Sequence, residues 1–223
     1  MSKLLPFLCV LLVASCVERA PQVGTPAKDT SASPRDSAVP VANERVYDIK
    51  AGTLTLKNSI QPDIEQTLRF DDYGGRVALE ATQGDTTVVQ ISANGRDIMY
   101  NTIDRQGASR PIHGRSHFLK NFIPDLRSLD SAALARLEGI TLLPRTIAGE
   151  ECRGYRLRYN GRTVSVWEWK GVPMRVEVEQ TPGKRPLVIE VVNVEEEEGI
   201  PDRYFTVPSE VKVVPVEGTA ASH

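Results

Sequence analysis

The sequence predicts a mainly β fold with small helices: a curved antiparallel sheet with the helices against its concave side. Three observations predict it. Apolar and polar residues alternate in run after run from residue 46 onward. Asn-Gly and Asp/Gly-rich turn signals separate those runs. One stretch near residue 130 changes to helical spacing. Alternation at period two marks strands with one apolar and one polar face, the pattern of antiparallel sheets with a wet side.

The chain of 223 residues opens with "LLPFLCVLLVASC". Lys3 precedes an apolar core from Leu4 to Val13, shorter than the roughly 20 residues a helix needs to cross a bilayer. It suits a secretory signal peptide, expected over residues 1–15. "VASC" puts three small residues before Cys16 and resembles the lipobox of bacterial lipoproteins. That resemblance implies a diacylglyceryl group on the Cys16 thiol, and Val17 in place of an aspartate implies sorting to the outer membrane. Residues 16–44 are then the lipidated N-terminus and a flexible linker. Pro, Ser, Ala and Thr dominate there, with too little apolar surface to offset the entropy of ordering. About 25 residues of such coil reach roughly 25–30 Å.

A folded domain is expected over residues 45–216, with a flexible tail at 217–223. "VYDIKAGTLTLKN" reads as strand broken at Gly52. Leu68 and Phe70 alternate with Arg69, and "DDYGG" turns the chain so that Val77 and Leu79 resume the period. Val89 and Ile91, the Asn94-Gly95 turn, then Ile98 and Tyr100 repeat the arrangement. "RPIHGRSHFLKNFIPDL" has no clear period. "LRSLDSAALARLEG" is a short helix capped by Asp130 and closed at Gly139, with Leu126, Leu129, Ala133, Leu134 and Leu137 on its apolar stripe. Strands return at Tyr155, Leu157 and Tyr159. Asn160-Gly161 turns the chain into Val164 and Val166, a break near Gly171 leads to Met174, Val176 and Val178, and "PLVIEVVNV" makes a further long strand.

Composition limits the function. The 27 basic and 29 acidic side chains give a formal net charge of -2 with no basic block, so a nucleic-acid partner is not expected. Of Cys9, Cys16 and Cys152, the first leaves with the signal and the second carries lipid, so Cys152 stands alone without a disulfide or a nucleophile signature around it. His113 and His117 form H-x-x-x-H, but two ligands complete no zinc site. Asp71 and Asp72 fit turn chemistry, and Glu195 to Glu198 fit a solvated strand edge. No phosphate loop, dinucleotide fingerprint or serine elbow occurs. The expectation is a protein that is not an enzyme, with no cofactor and no metal. Trp167 and Trp169 share one parity and suit a core, a ligand groove or a docking surface.

"GTLTLKN", "QTLRFDDYGGR", "EECRGYRLRY", "VWEWKGVPMRVEVE" and "IPDRYFTVPSEVKV" together resemble bacterial envelope proteins grouped near the LolA and LolB lipoprotein-sorting proteins. The phrases fall on Phe70 to Gly74, Trp167 to Met174 and Phe205 to Val213. Met174 replaces a leucine of the pattern, and Glu210 a glycine. The resemblance implies a strongly curved antiparallel sheet, an incomplete barrel, with helices on its concave side over an apolar cavity. It also implies an acyl chain or other hydrophobic ligand in that cavity, with Leu68, Phe70, Val89, Ile91, Leu134, Trp167 and Trp169 as candidate lining. The resemblance and Cys16 place the protein in the envelope, lipid-anchored at the outer membrane and facing the periplasm. The alternative is a structural or protein-interaction module with a filled core and an envelope protein as partner.

Overall fold

Two antiparallel meanders, joined along β1 and β11, build one twelve-stranded sheet. The computed structural model describes residues 45–112, 118–181 and 183–216. The expected signal peptide, the expected lipidation site Cys16, the expected linker, His113, His117 and the expected tail at 217–223 lie outside the described residues. The first meander runs through β1 (Ala51–Asn58), β2 (Glu65–Asp71), β3 (Arg76–Gln83), β4 (Thr86–Ala93), β5 (Arg96–Asn101) and β6 (Gln106–Pro111). The second has β7 (Ile140–Ile147), β8 (Glu150–Tyr159), β9 (Arg162–Trp169), β10 (Val172–Val178) and β11 (Leu187–Glu197). A short β12 (Lys212–Pro215) closes the order at one edge, pairing in parallel with β6.

Turn chemistry sets the register. Asn94-Gly95, Ala148-Gly149, Asn160-Gly161 and Lys170-Gly171 are two-residue loops with both residues at positive φ. This is the type I′ geometry, whose twist matches that of paired strands. Between β2 and β3, Asp72, Tyr73 and Gly74 are all left-handed. A Cβ on Gly74 would stand 2.8 Å from Val46 Cβ and 2.9 Å from Tyr47 Cδ2, so glycine is needed for space as well as for dihedral freedom. Residues 46–50, expected as strand, are bends instead. They lie against this turn, with the amides of Val46 and Tyr47 donating to Tyr73 O at 2.8 and 3.1 Å. Gly52 stays in register opposite Phe70. Its added Cβ would meet Phe70 Cζ at 2.9 Å, so the glycine makes room for a ring and does not break the strand.

Both faces of the sheet are covered, at different places. On one face Leu54, Leu56, Leu68, Phe70 and Val77 join Tyr47 and Ile49 in one cluster. A second cluster follows, in which Leu119, Ile123 and Leu126 cover Leu157, Val164, Val166, Val176, Val178, Leu187 and Ile189. The 3-10 turn Leu126–Ser128 and helix α1 (Ser131–Arg136) belong to this covering segment. The register places Ala78, Val89, Ile91 and Tyr100 on the opposite face, where Ile200 and Phe205 cover them. Arg76, bonded to Asp71 and at 2.5 Å to Asp202, and Arg69, whose guanidinium lies 4.2 Å from the Tyr204 ring centroid, hold that second cover down.

This distribution corrects the expected incomplete barrel. The sheet is mainly β with small helices, but it is open and not strongly curled, running from edge β12 to edge β7. Apolar residues feed separate clusters on both faces, so there is no single interior for the strands to wrap around. The expected antiparallel order also ends at β6, where β12 adds in parallel. Among the described residues the only α-helix is six residues long, because Asp125 and Asp130 start two separate turns where the sequence suggested one helix.

Candidate functional site

The seven residues expected to line a cavity are placed in three different surroundings. Leu68, Phe70 and Trp167 belong to the first cluster, with Trp169 packed against it. Leu68 and Phe70 have 0% exposure, so neither borders an opening wide enough for water. Val89 and Ile91 lie across the sheet: they pair with Glu80 and Ala78, and Ala78 pairs with Arg69, whose parity is opposite to that of Leu68 and Phe70. Leu134 is half-buried on α1 and lies against Gly139, where an added Cβ would meet Leu134 Cδ2 at 2.9 Å. Trp167 is core: its Nε1 donates to Leu143 O at 3.2 Å and the Arg145 guanidinium lies 4.0 Å from its ring centroid. Trp169 is half-buried with the Lys170 ammonium 4.4 Å from its ring centroid.

A cleft forms elsewhere, where the second meander meets residues 46–50 and the covering segment. Its volume is about 240 Å³. Register builds its floor. The Asn160-Gly161 loop folds β8 onto β9 so that Arg153 faces Glu168 directly. Glu168 continues the parity of Val164 and Val166 and is therefore pulled inward, to 2% exposure. A buried carboxylate must be paired and fully bonded. Its Oε1 accepts from Arg153 Nε at 2.7 Å and lies 2.6 Å from Arg153 Nη2, while its Oε2 accepts from the Gly171 amide at 2.7 Å. The last bond ties the carboxylate to the β9–β10 loop. Glu168 holds the Arg153 pKa above its already high ordinary value, with burial opposing.

The walls come from separate segments. Asp48 is fixed by its amide, which donates to Lys170 O at 2.9 Å. Arg127 sits in the 3-10 turn whose cap, Asp125 Oδ1, accepts from the Arg127 amide at 3.0 Å. Its Nε stands 3.7 Å from Asp48 Oδ1, a loose pair between two partly exposed side chains. Leu126, Leu129 and Tyr155 supply the apolar parts. The cleft therefore presents two guanidinium groups beside a small apolar rim. Arg127 is paired with Asp48 and Arg153 with Glu168, so the cleft offers guanidinium hydrogen-bond donors beside that rim. Among the described residues no group of three or more His, Cys, Asp and Glu side chains could hold a metal ion. Cys152 is buried, and burial together with Glu168 and Glu150 pushes its thiol pKa up to about 11, the reverse of what a nucleophilic thiol needs.

The sequence reading did not single out Asp48, Arg127, Arg153, Tyr155 or Glu168 as a site. A signal for two of them was present. Arg153 and Glu168 are opposite charges at the ends of core-facing alternations, and a two-residue Asn-Gly loop makes them partners by counting. Arg127 and Asp48 carry no comparable signal, because loop segments bring them in.

No protein-family model matches the sequence, and no curated protein matches it. The fold is similar to that of solved structures. An uncharacterised conserved protein from Thermus thermophilus matches with a TM-score of 0.53 at 10% identity, over 75% of this chain and 91% of that one. MucB matches with a TM-score of 0.49 at 12% identity, over 76% of this chain and 62% of that one. The MucA/MucB complex of Pseudomonas aeruginosa matches with a TM-score of 0.44 at 13% identity, over 74% of this chain and 58% of that one. The first likeness shows a shared fold and no shared activity; the other two carry no argument beyond it.

Proposed function

We propose that this is a non-catalytic, lipid-anchored protein of the bacterial cell envelope whose sheet domain is a protein-interaction module. The observation that carries this reading is the packing of the expected ligand lining. Leu68 and Phe70 have no accessible surface, while the charged cleft is open to a partner. An acyl-chain site needs a continuous apolar hollow; here six of the seven side chains are divided between two separate cores, and Leu134 lies apart on α1. The envelope location rests on the signal-like stretch ahead of Cys16 and on the resemblance to envelope proteins. The MucA/MucB complex is a protein–protein assembly, but the likeness to it is too slight to carry that partner over.

The test sets this reading against acyl-chain binding. The full-length chain with Cys16→Ser is titrated with a fluorescent fatty acid while the emission of Trp167 and Trp169 is followed. The reading predicts no saturable quenching. Saturation in the micromolar range would restore the acyl-chain function, since apolar burial contributes roughly 0.8 kcal/mol per methylene.

A further inference from the structure

We propose that the Arg127–Arg153 cleft receives a carboxylate side chain from an extended, acidic segment of a protein partner. This deepens the interaction-module reading and rests on it. The size of the cleft, about 240 Å³, falls below the roughly 300–1,000 Å³ of sites that enclose a whole small molecule, and suits one or two side chains of a larger partner.

The donors are uncommitted on the outer side. Arg153 directs Nε and Nη2 to one oxygen of Glu168, its side chain is 73% exposed, and its Nη1 makes no hydrogen bond among the described residues. Glu168 is buried beneath it with both oxygens bonded, so it cannot swing out to compete. Arg127 makes no side-chain hydrogen bond among the described residues and holds only the loose 3.7 Å pair with Asp48. A guanidinium matches a carboxylate through two parallel N–H donors, and such charge-assisted pairs are about twice as strong as neutral ones. Tyr155 and Leu129 flank the charged pair and favour a segment with apolar or β-branched neighbours around its acid.

Asp48 gives the proposal a sign. It is the one acidic group that an incoming carboxylate would displace from Arg127, and at 57% exposure it goes to water at little cost. Removing its charge should help the ligand, whereas removing Arg127 should hurt it. Neither change removes a partner from the Glu168–Arg153 pair, although the Asp48 charge also acts on Arg153 through space. Arg153→Gln would leave a carboxylate buried without its cation, so it is not the test variant.

The full-length Cys16→Ser chain is titrated with a short acetylated, amidated peptide alternating threonine and glutamate, and with its glutamine counterpart. The arginine Nε–Hε resonances are followed by NMR. The expected result is saturable movement of the Arg127 and Arg153 signals, at least about tenfold tighter for the glutamate peptide. Arg127→Gln should lose most of that difference, and Asp48→Asn should tighten glutamate binding severalfold. Equal affinity for both peptides, no binding of either, or weaker binding in Asp48→Asn would overturn the proposal. So would arginine signals that move only with vesicles of phosphatidylglycerol, which would make the ligand a lipid headgroup. If these results come with no saturable fatty-acid binding, the partner chemistry fails and the interaction module stands. Saturable fatty-acid binding would remove the module reading itself.

Discussion

Cys152 shows what burial does to a single titratable side chain. Its thiol donates weakly to Glu150 O at 3.4 Å, and its pKa rises from an ordinary value near 9 to about 11, through burial first and then the nearby Glu168 and Glu150. The native state therefore favours the neutral thiol. That contribution to stability is complete below pH 9 and is lost as pH climbs from 9 through 11, because the unfolded chain ionises first. Urea unfolding at pH 8 and again above pH 10 should show wild type losing about 1–2 kcal/mol more than Cys152→Ala over that interval. Equal losses in the two proteins would show that the thiol does not titrate as described. Glu168 makes the complementary case. It is a charge kept buried because three donors reach it, and its desolvation is offset by bonds that fix Arg153 and the β9–β10 loop in place.

At the scale of elements, the short helix shows how local rules and packing divide the work. Asp130 caps α1 as its sequence position suggested, accepting from the Ala133 amide at 2.7 Å. The stop is made differently. Glu138, not Gly139, takes the left-handed conformation at φ 51, and Gly139 is small because Leu134 lies against it. That conformation costs a non-glycine residue about 1–2 kcal/mol. Glu138→Gly should thus stabilise the protein by about 0.5–1 kcal/mol, read as a higher urea midpoint with unchanged slope. A lower midpoint would mean that the 3.9 Å contact of Glu138 with Arg158 outweighs the backbone strain. The strands were legible wherever one face was dry, as at Leu68/Phe70, Val89/Ile91 and Val164/Val166. β7 was not, because both faces of "ITLLPRTI" are largely exposed and Pro144 falls within it. Alternation reports which residues share a face of their own strand. It does not say which faces of different strands coincide, so by alternation alone Val89 and Ile91 fall with Leu68 and Phe70 although the sheet stands between them.

For the whole molecule, that same ambiguity explains why a curved half-barrel was expected and an open sheet is formed. Two covers on opposite faces, residues 118–129 on one and 200–211 on the other, leave the strands no common axis to curl about. Both sheet edges are blunted. β12 is four residues long with Lys212 and Pro215, and β7 has a register shift between Leu142 and Arg145 around Pro144. Such edges resist pairing with other strands. The cleft, lined by Asp48, stands close in sequence to the first described residue, Arg45. Anchoring through the N-terminus is testable by labelled palmitate: Cys16→Ser should abolish incorporation, and unchanged labelling would remove the anchor from the account.

The claim that the cleft is the working surface is tested most directly by site-specific crosslinking in living cells. A photo-reactive phenylalanine analogue replaces Tyr155, half-buried in the cleft, and in a parallel strain replaces Ile103, exposed near the opposite end of the strand order. The account predicts a discrete protein adduct from position 155, absent from position 103 and weakened by Arg127→Gln. Lipid adducts alone at position 155, or the same adducts from both positions, would contradict it.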